Sequence, residues 1–222
     1  LFNKVEPLEP GALREAIEAL ARSVRYPLVA LFVIDGSKRS GHSNAYMYGF
    51  GKNKRIVLFD TLIKQVHTHE IVAILGHELG HWHFGHVLQG LVITQAYLLA
   101  TFLSFSYVVS NADLYASYGF AARPTLIGLL LFAQTVWAPV DKALNFLMTL
   151  NVRRNEFQAD RYATDLGYAD GLQRGLIKIT SENLGTLDPD PIYSLYHYSH
   201  PPLVQRLRAI QAAAKSAAKK GQ

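Results

Sequence analysis

The chain has 222 residues, a formal net charge of +5 at pH 7 and no cysteine. Half of its residues are hydrophobic and 18% are charged, whereas soluble domains average about 25% charged residues. This composition excludes an intrinsically disordered chain, which needs high charge and low hydrophobicity. The lack of thiols excludes a disulfide scaffold, a thiolate zinc finger and a cysteine nucleophile. A metal site must therefore use His, Asp or Glu, and the chain has nine histidines.

The residues before the first long apolar run predict a small α+β unit. Apolar residues at helical spacing indicate helices, and short hydrophobic runs bounded by turn residues indicate strands. The predicted elements are a helix at 10–24, strands at 28–35, 44–50 and 55–60, and a helix that begins at Thr68 and continues through His86 into the apolar run. Beyond the apolar runs, helices are predicted at 152–166, 170–183 and 201–214.

Two long apolar runs account for the low charge. Residues 87–112 contain no charged side chain, and neither do residues 124–140; after an Asp-Lys pair the second run continues to 152. Each run is long enough to cross a hydrocarbon core of about 30 Å, which takes roughly 20 helical residues. The alternative is a pair of buried helices in a large soluble core, an alternative kept open by the polar residues of the first run. We predict a transmembrane helical hairpin.

The charges flanking this hairpin predict its orientation. Basic residues stand before the first span and directly after the second, at Arg153 and Arg154. Positive charge collects on the cytoplasmic side of membrane proteins. The predicted division is a cytosolic part at 1–86, transmembrane helices at 87–110 and 124–150, a lumenal loop at 111–123, a second cytosolic part at 151–214 and a basic tail at 215–222. Because the chain begins at Leu1 and not at Met, we expect it to be part of a longer membrane protein.

The strongest functional signal is the segment His77-Glu78-Leu79-Gly80-His81. On a helix, His77 and His81 share one face, so both imidazoles can reach one Zn²⁺ while Glu78 reaches a water molecule at the metal. The alternative is a chance match on an amphipathic helix. We predict a zinc site with Glu78 as the general base.

A third protein ligand has to come from elsewhere in the chain. A third histidine ten residues after the first would indicate a metzincin, but position 87 is Val, and His83 and His86 lie on other faces of the helix. We expect those two histidines at the membrane interface. The better candidate is Glu156 on a separate helix, with Asp160 one turn later to orient a ligand histidine. The alternative is an ordinary exposed acidic stripe.

Three weaker candidates lie outside these helices. His200 precedes a helix and would be placed to stabilise an oxyanion, although a lone histidine is more often structural. The segment 43–46 opens a predicted strand; if that strand is an exposed edge, it can pair with an extended peptide, and Asn44 can donate to it. A turn-forming Asn is the alternative. Arg206 either pairs with Asp160 or lies on a solvated helix face.

Four segments carry a family resemblance: HSNAYMYGFGKNKRIVLFDTL, ILGHELGHWHFGH, RRNEFQAD and YHYSHPPLVQRLRAI. Together they resemble the Ste24-type CAAX prenyl proteases, which are integral membrane zinc metallopeptidases of family M48. The resemblance implies an α-helical membrane protein with an α+β, gluzincin-like metallopeptidase domain split by a transmembrane helical hairpin.

The resemblance also implies roles for individual residues. It implies three zinc ligands, at His77, His81 and Glu156, and Glu78 as the catalytic base. His200 and Asn44 would then contact the substrate or the transition state, with Ala45 and Tyr46 on the same substrate-binding strand. Asp160 and Arg206 would support the ligands.

The implied activity is removal of the C-terminal aaX from prenylated (farnesylated) CAAX proteins, with a second upstream cleavage as a further possibility. The implied location is the endoplasmic reticulum membrane or the inner nuclear membrane, in a multi-pass protein whose catalytic part faces the cytosol. The implied partners are the prenylated substrate and the lipid bilayer, with no nucleic acid.

Two alternative functions remain open from the sequence. A quality-control membrane metalloprotease of the HtpX type would use the same chemistry on misfolded membrane proteins. A membrane metal transporter or a non-catalytic metal-binding protein belongs to a different class. Transporters place ionisable residues inside their spans, whereas the histidines and Glu156 flank the apolar runs here.

Overall fold

The computed structural model describes residues 3–38 and 44–220, except for the side chain of Lys220. The chain divides into two compact units, one formed by residues 1–84 with 153–222 and the other by residues 85–152. We call them the catalytic unit and the apolar unit. Helix α7 contributes its first part to the apolar unit and its last part, from Arg153, to the catalytic unit.

The catalytic unit combines a small sheet with helices. Its strands are β1 (Val5–Pro7), β2 (Leu28–Ile34), β3 (Ala45–Tyr48) and β4 (Lys54–Phe59). Its helices are α1 (Ala12–Ser23), α2 (Asp60–Gln65), α3 (Thr68–His83), the C-terminal part of α7 (Trp137–Asp165), α8 (Ala169–Glu182), α9 (Pro191–His197) and α10 (Leu203–Lys220). A short 3-10 helix spans Gly36–Lys38.

The sheet has the strand order β1-β2-β4-β3, so that β3 lies at an edge of the described sheet. Strands β2 and β4 are parallel, whereas β1 and β3 pair antiparallel to their neighbours. Apolar side chains of α1, β4 and α3 form the main core, in which Ile17, Ile56 and Leu75 are fully buried. This core holds α3 against the sheet, and α8 packs on α3 from another side.

The regular structure described in the apolar unit is helical. It contains α4 (His86–Val109), α5 (Ala112–Ser117), α6 (Thr125–Leu131), a π-helical turn (Phe132–Val136) and the first part of α7. Val108, Phe132 and Trp137 form a small cluster. The Tyr97 hydroxyl donates to Oδ1 of Asp141 at 2.6 Å and thereby links α4 to α7.

Among the described residues, two helices are long and apolar enough to cross a membrane, namely His86–Val109 and the continuous helix Thr125–Asp165. The most apolar window of the first helix has no buried residue, and that of the second is only 11% buried. A soluble monomer rarely exposes a contiguous apolar surface of this kind. The structure therefore favours two spanning helices over the alternative of helices buried in a soluble core.

The structure corrects several sequence predictions. The helix from Thr68 does not continue into the apolar run, because Gly85 adopts a left-handed conformation with φ of 67° and separates α3 from α4. The predicted helix 152–166 is the end of the much longer α7. The basic tail is not a separate segment, since α10 runs to Lys220. The predicted loop 111–123 contains α5.

Strand β1 and helices α2 and α9 were not predicted at all, because each is seven residues or shorter and so too short for its apolar spacing to register. The start of the segment 43–46, at Ser43, lies outside the described residues.

Candidate metal centre

Helix α3 carries the two histidines of the motif, and its start is held firmly. The backbone N–H of His67 donates to Oε2 of Glu70 at 2.7 Å, which forms a capping box at the helix N-terminus. Lys178 on α8 donates to the same carboxylate oxygen at 2.7 Å, although Glu70 itself is fully buried. Burial alone would raise the pKa of Glu70, but these hydrogen bonds and the lysine charge outweigh it and lower the pKa.

Helix α3 crosses α7 at very close range, and a glycine permits this. A Cβ atom added at Gly80 would lie 2.9 Å from Cα of Ala159, a backbone atom that cannot move aside easily. Gly80, which lies between His77 and His81 in the sequence, therefore lets the two backbones touch beside the two histidines. The crossing brings Glu156 on α7 to the histidine face of α3.

Three side chains converge at this crossing: His77, His81 and Glu156 offer ligand atoms that all lie within 4.8 Å of one another. The two Nε2 atoms of the histidines are 3.1 Å apart. Nε2 of His81 lies 3.3 Å from Oε1 of Glu156, and Nε2 of His77 lies 3.6 Å from Oε2. The sequence predicted this grouping although Glu156 follows His81 by 75 residues.

The three side chains are arranged more favourably for binding a metal ion than for hydrogen bonding to one another. Oε2 of Glu156 is buried and has no hydrogen-bond donor among the described residues, although a buried carboxylate oxygen normally has one. Nδ1 of His200 lies 3.0 Å from it but is not aligned for a hydrogen bond. Two imidazole nitrogens and one carboxylate are a donor set typical of catalytic zinc sites.

Asp160 and Arg206 fix the orientation of His77. Nδ1 of His77 lies 2.9 Å from Oδ1 of Asp160, and both residues are buried. Because the Asp160 carboxylate accepts a hydrogen bond there, Nδ1 carries the hydrogen and Nε2 presents its lone pair to the group. The Arg206 guanidinium donates to both oxygens of Asp160, at 2.7 and 2.9 Å. The structure thus brings together Asp160 and Arg206 as predicted, and it does not support the solvated position considered for Arg206.

His200 lies within electrostatic range of both Glu156 and Glu78. The side chain of His200 is 67% exposed, and its contact with the Glu156 carboxylate raises its pKa. The negative charge of Glu78, which is half-buried, acts in the same direction. Burial would raise the pKa of Glu156 itself, but contacts with His200 and His81 and the charges of His77 and Arg206 lower it. The ionised Glu156 carboxylate therefore lies next to the exposed imidazole of His200, with Nδ1 of His200 3.0 Å from Oε2.

The predicted substrate strand lies in the same unit but makes different contacts. Oδ1 of Asn44 accepts from the backbone N–H of Ala45 at 2.8 Å. Ala45 is buried, and Tyr46 is partly exposed beside Tyr48 and Phe59. In the described part of the chain, Asn44 forms hydrogen bonds with the sheet and not with the histidine–glutamate group.

The other histidines of the motif region do not join the group. His83 stacks on Tyr162 with ring centroids 4.7 Å apart, and His86 is buried at the start of α4. His83 therefore lies on another face of α3, as predicted, whereas His86 is not on the same helix, because α3 ends at His83 and α4 begins at His86.

Sequence reasoning missed one residue near the site. Arg153 was interpreted only as a positive flank of the second span, but its side chain is buried and hydrogen-bonded within the catalytic unit. The available signal was its spacing, since Arg153, Glu156 and Asp160 recur every three to four residues on one helix face.

Comparisons with known proteins indicate which family the chain resembles. Residues 7–214 match the model of peptidase family M48. The chain is 52% identical to a CAAX prenyl protease 1 homolog of Arabidopsis thaliana over 97% of the chain and 51% of the relative. It is 41% identical to the homolog of Homo sapiens over 95% of the chain and 52% of the relative. CAAX prenyl protease 1 of Saccharomyces cerevisiae is 43% identical over 95% of the chain and 50% of the relative.

A solved structure supports the fold directly. The crystal structure of Ste24p from S. mikatae superimposes with a TM-score of 0.84 at 42% identity, over 94% of this chain and 52% of that one. This match confirms the predicted architecture of a membrane metallopeptidase with a small sheet and two apolar helices. The chain spans about half the length of the curated relatives it matches.

Proposed function

Because the chain belongs to peptidase family M48, we propose that it forms the catalytic part of a zinc-dependent membrane endopeptidase. The observation that carries this proposal is the convergence of His77, His81 and Glu156 within 4.8 Å, from two helices that cross at Gly80. The family implies a metal, and the donor set favours zinc.

The proposed substrates are prenylated CAAX proteins, from which the enzyme removes the C-terminal aaX. This follows from relatives named CAAX prenyl protease 1 at 41–52% identity over at least 95% of the chain. We further propose a multi-pass protein of the endoplasmic reticulum membrane, with the inner nuclear membrane as a second location and with the catalytic unit facing the cytosol. The basic pair Arg153 and Arg154 after the second span supports this orientation.

In this mechanism His77, His81 and Glu156 would hold the zinc ion. When bound, zinc would polarise the substrate carbonyl and lower the pKa of a water molecule. Glu78 takes a proton from the attacking water and delivers it to the leaving amine. Asp160, held by Arg206, keeps the Nδ1 proton of His77 in place, so that Nε2 remains a ligand.

Two further groups act on the substrate. His200 directs Nδ1 toward Glu156, which leaves Nε2 to donate to the oxygen that becomes negative as water adds to the carbonyl. Strand β3 has a free edge in the described sheet, and backbone groups of Asn44, Ala45 and Tyr46 would pair there with an extended substrate. Asn44 would add a side-chain hydrogen bond to the substrate backbone.

The decisive test replaces the base without disturbing the metal. In the full-length protein in detergent, Glu78→Gln should keep the wild-type metal content and lower kcat on a farnesylated CAAX peptide by about 10²–10⁴. Glu156→Ala should lose both metal and activity. Glu9→Gln, an exposed position on the same unit, serves as the matched control and should change neither. Wild-type turnover by Glu78→Gln would contradict the proposal.

The choice of peptide separates the alternatives. Faster cleavage of the farnesylated than of the unprenylated peptide supports the prenyl protease, whereas equal cleavage of both favours a quality-control protease. Loss of cleavage on chelation, with recovery on adding zinc, separates a peptidase from a transporter or a non-catalytic metal-binding protein.

A further inference from the structure

Helix α7 presents three charged side chains in one line along the site. Arg153, Glu156 and Asp160 follow one another at spacings of three and four residues, which places them on one helix face. All three are buried, with exposed fractions of 7%, 3% and 1%. Glu156 is the metal-ligand candidate. Arg153 precedes it on α7, and Asp160, which is bound by Arg206, follows it.

The Arg153 guanidinium joins α7 to the chain on both sides of His200. Nη1 donates to the backbone carbonyl oxygens of Ser194 at 3.1 Å and of Tyr198 at 3.3 Å. Nη2 donates to Oε1 of Gln205 on α10 at 3.0 Å. These acceptors come before and after His200, so the Arg153 side chain binds the segment 194–205 on both sides of His200.

A second anchor holds the far side of this segment. Arg206 on α10 donates to Asp160 on α7, one turn beyond Glu156. Between the two anchors, Pro201 and Pro202 are buried and restrict the backbone that follows His200. The His200 side chain is itself 67% exposed, so packing around the imidazole does little to fix it. Its place depends on the backbone that carries it.

We propose that Arg153 is a positioning residue that sets the place of His200 relative to Glu156. This inference rests on the proposed peptidase function. A planar guanidinium suits the task because its donors diverge at fixed angles and reach three acceptors at once, which an ammonium group does not match. Because Arg153 and Glu156 lie on the same helix, a segment that is hydrogen-bonded to Arg153 is held at a fixed position relative to Glu156.

A double-mutant cycle tests this role in the full-length protein with a farnesylated CAAX peptide. His200→Ala alone should lower kcat about 10²–10³-fold, as expected for loss of an oxyanion donor. Arg153→Met alone should lower kcat at least about 10-fold, with KM and metal content close to wild type. In the Arg153→Met background, His200→Ala should cost clearly less than it does in the wild type, so that the double mutant is about as slow as His200→Ala alone, because His200 is already displaced.

Two variants make the cycle specific. Arg154→Met removes a neighbouring arginine whose side chain is exposed and should leave kcat unchanged. Gln205→Leu removes one acceptor of Arg153 and should lower kcat by less than Arg153→Met, with the same coupling to His200. If Arg153→Met does not yield folded protein, the cycle is run with Gln205→Leu and Arg153→Lys, and either variant should show the coupling.

Hydrogen exchange supplies a measurement independent of activity. In Arg153→Met, the amides of residues 198–200 and 203–205 should lose protection, whereas those of α3 around Leu75 should keep it. A general loss of protection across both regions would mean a merely structural role and would overturn the proposal.

The outcomes distinguish a failure of the proposed function from a failure of the positioning role of Arg153. No cleavage of any peptide by the metal-loaded wild-type protein would overturn the proposed function. Wild-type cleavage combined with losses from Arg153→Met and His200→Ala that simply multiply would overturn the positioning role alone.

Discussion

The catalytic unit and the apolar unit use the same apolar residue types in opposite ways. In the catalytic unit, Leu62, Leu75 and Leu172 are fully buried against a sheet and neighbouring helices. In the apolar unit, Leu99, Phe102 and Leu103 are exposed on helices long enough to span a membrane. The difference shows that hydrophobicity alone does not determine burial in protein. In the catalytic unit, packing against other elements removes the apolar face from water. In the apolar unit, contact with lipid removes the apolar face from water.

The two units also surround their carboxylates with different partners. In the catalytic unit, Glu70 pairs with Lys178 and Asp160 pairs with Arg206, so each buried carboxylate meets a cation. In the apolar unit, Asp141 accepts from the neutral groups of Tyr97 and Asn145. A charge-assisted hydrogen bond to a cation fixes the orientation of a carboxylate and also compensates its charge.

The same substitution in both units should give the largest contrast in stability. Leu75→Ala removes a side chain that is 0% exposed in the main core, and it should cost about 2–5 kcal/mol. Leu99→Ala removes a side chain that is 60% exposed, and it should cost less than about 1 kcal/mol. Thermal unfolding in detergent, followed by the fluorescence of Trp82 in one unit and Trp137 in the other, measures both changes. Equal costs would mean that Leu99 is packed in the folded protein.

A charge in the apolar unit should oppose membrane insertion. Leu99→Arg at the middle of α4 should make insertion less favourable by about 2.5–3.5 kcal/mol relative to a neutral residue. Glycosylation tags on the chain, scored in microsomes, report the inserted fraction. Leu184→Arg in the catalytic unit is the control, since Leu184 is also exposed, at 92%. Undiminished insertion of Leu99→Arg would argue that this face does not meet lipid.

The smallest expected effect concerns a charge pair and its pH dependence. Lys178→Met leaves the buried Glu70 carboxylate without its cation and should cost about 1–3 kcal/mol at pH 7. The folded-state pKa of Glu70 lies below its ordinary value of 4.5, so the ionised pair stabilises the fold fully above pH 4.5. That contribution falls as the pH drops through the lowered pKa.

The difference in stability between wild type and Lys178→Met should therefore be constant from pH 7 to about 5.5 and shrink below pH 4.5. Lys64→Met is the matched control, because Lys64 pairs with Asp60 but its side chain is 68% exposed, and it should cost at most about 1 kcal/mol. A difference that persists unchanged at low pH would contradict the role of the Glu70 charge.

Much of the architecture was predictable from local pattern. Apolar spacing predicted α1, α3 and α8 closely, and β2 and β4 followed from short hydrophobic runs between turn residues. The break after α3 was not predicted, since a glycine at position 85 is compatible with both a continuous and a broken helix until its φ is seen. The short helices α2 and α9 carry too few residues for periodicity to be read.

The sequence by itself determined the chemistry of the centre. The absence of cysteine limited ligands to His, Asp and Glu, and the spacing of His77 and His81 placed two of them on one helix face. Only the tertiary structure decided how residues far apart in the chain meet. Close crossing at Gly80 brings Glu156 to that face, and the contacts of Arg153 with Ser194, Tyr198 and Gln205 hold the His200 segment beside it. Such contacts depend on backbone approach and on acceptors 41 to 52 residues away, which no local pattern encodes.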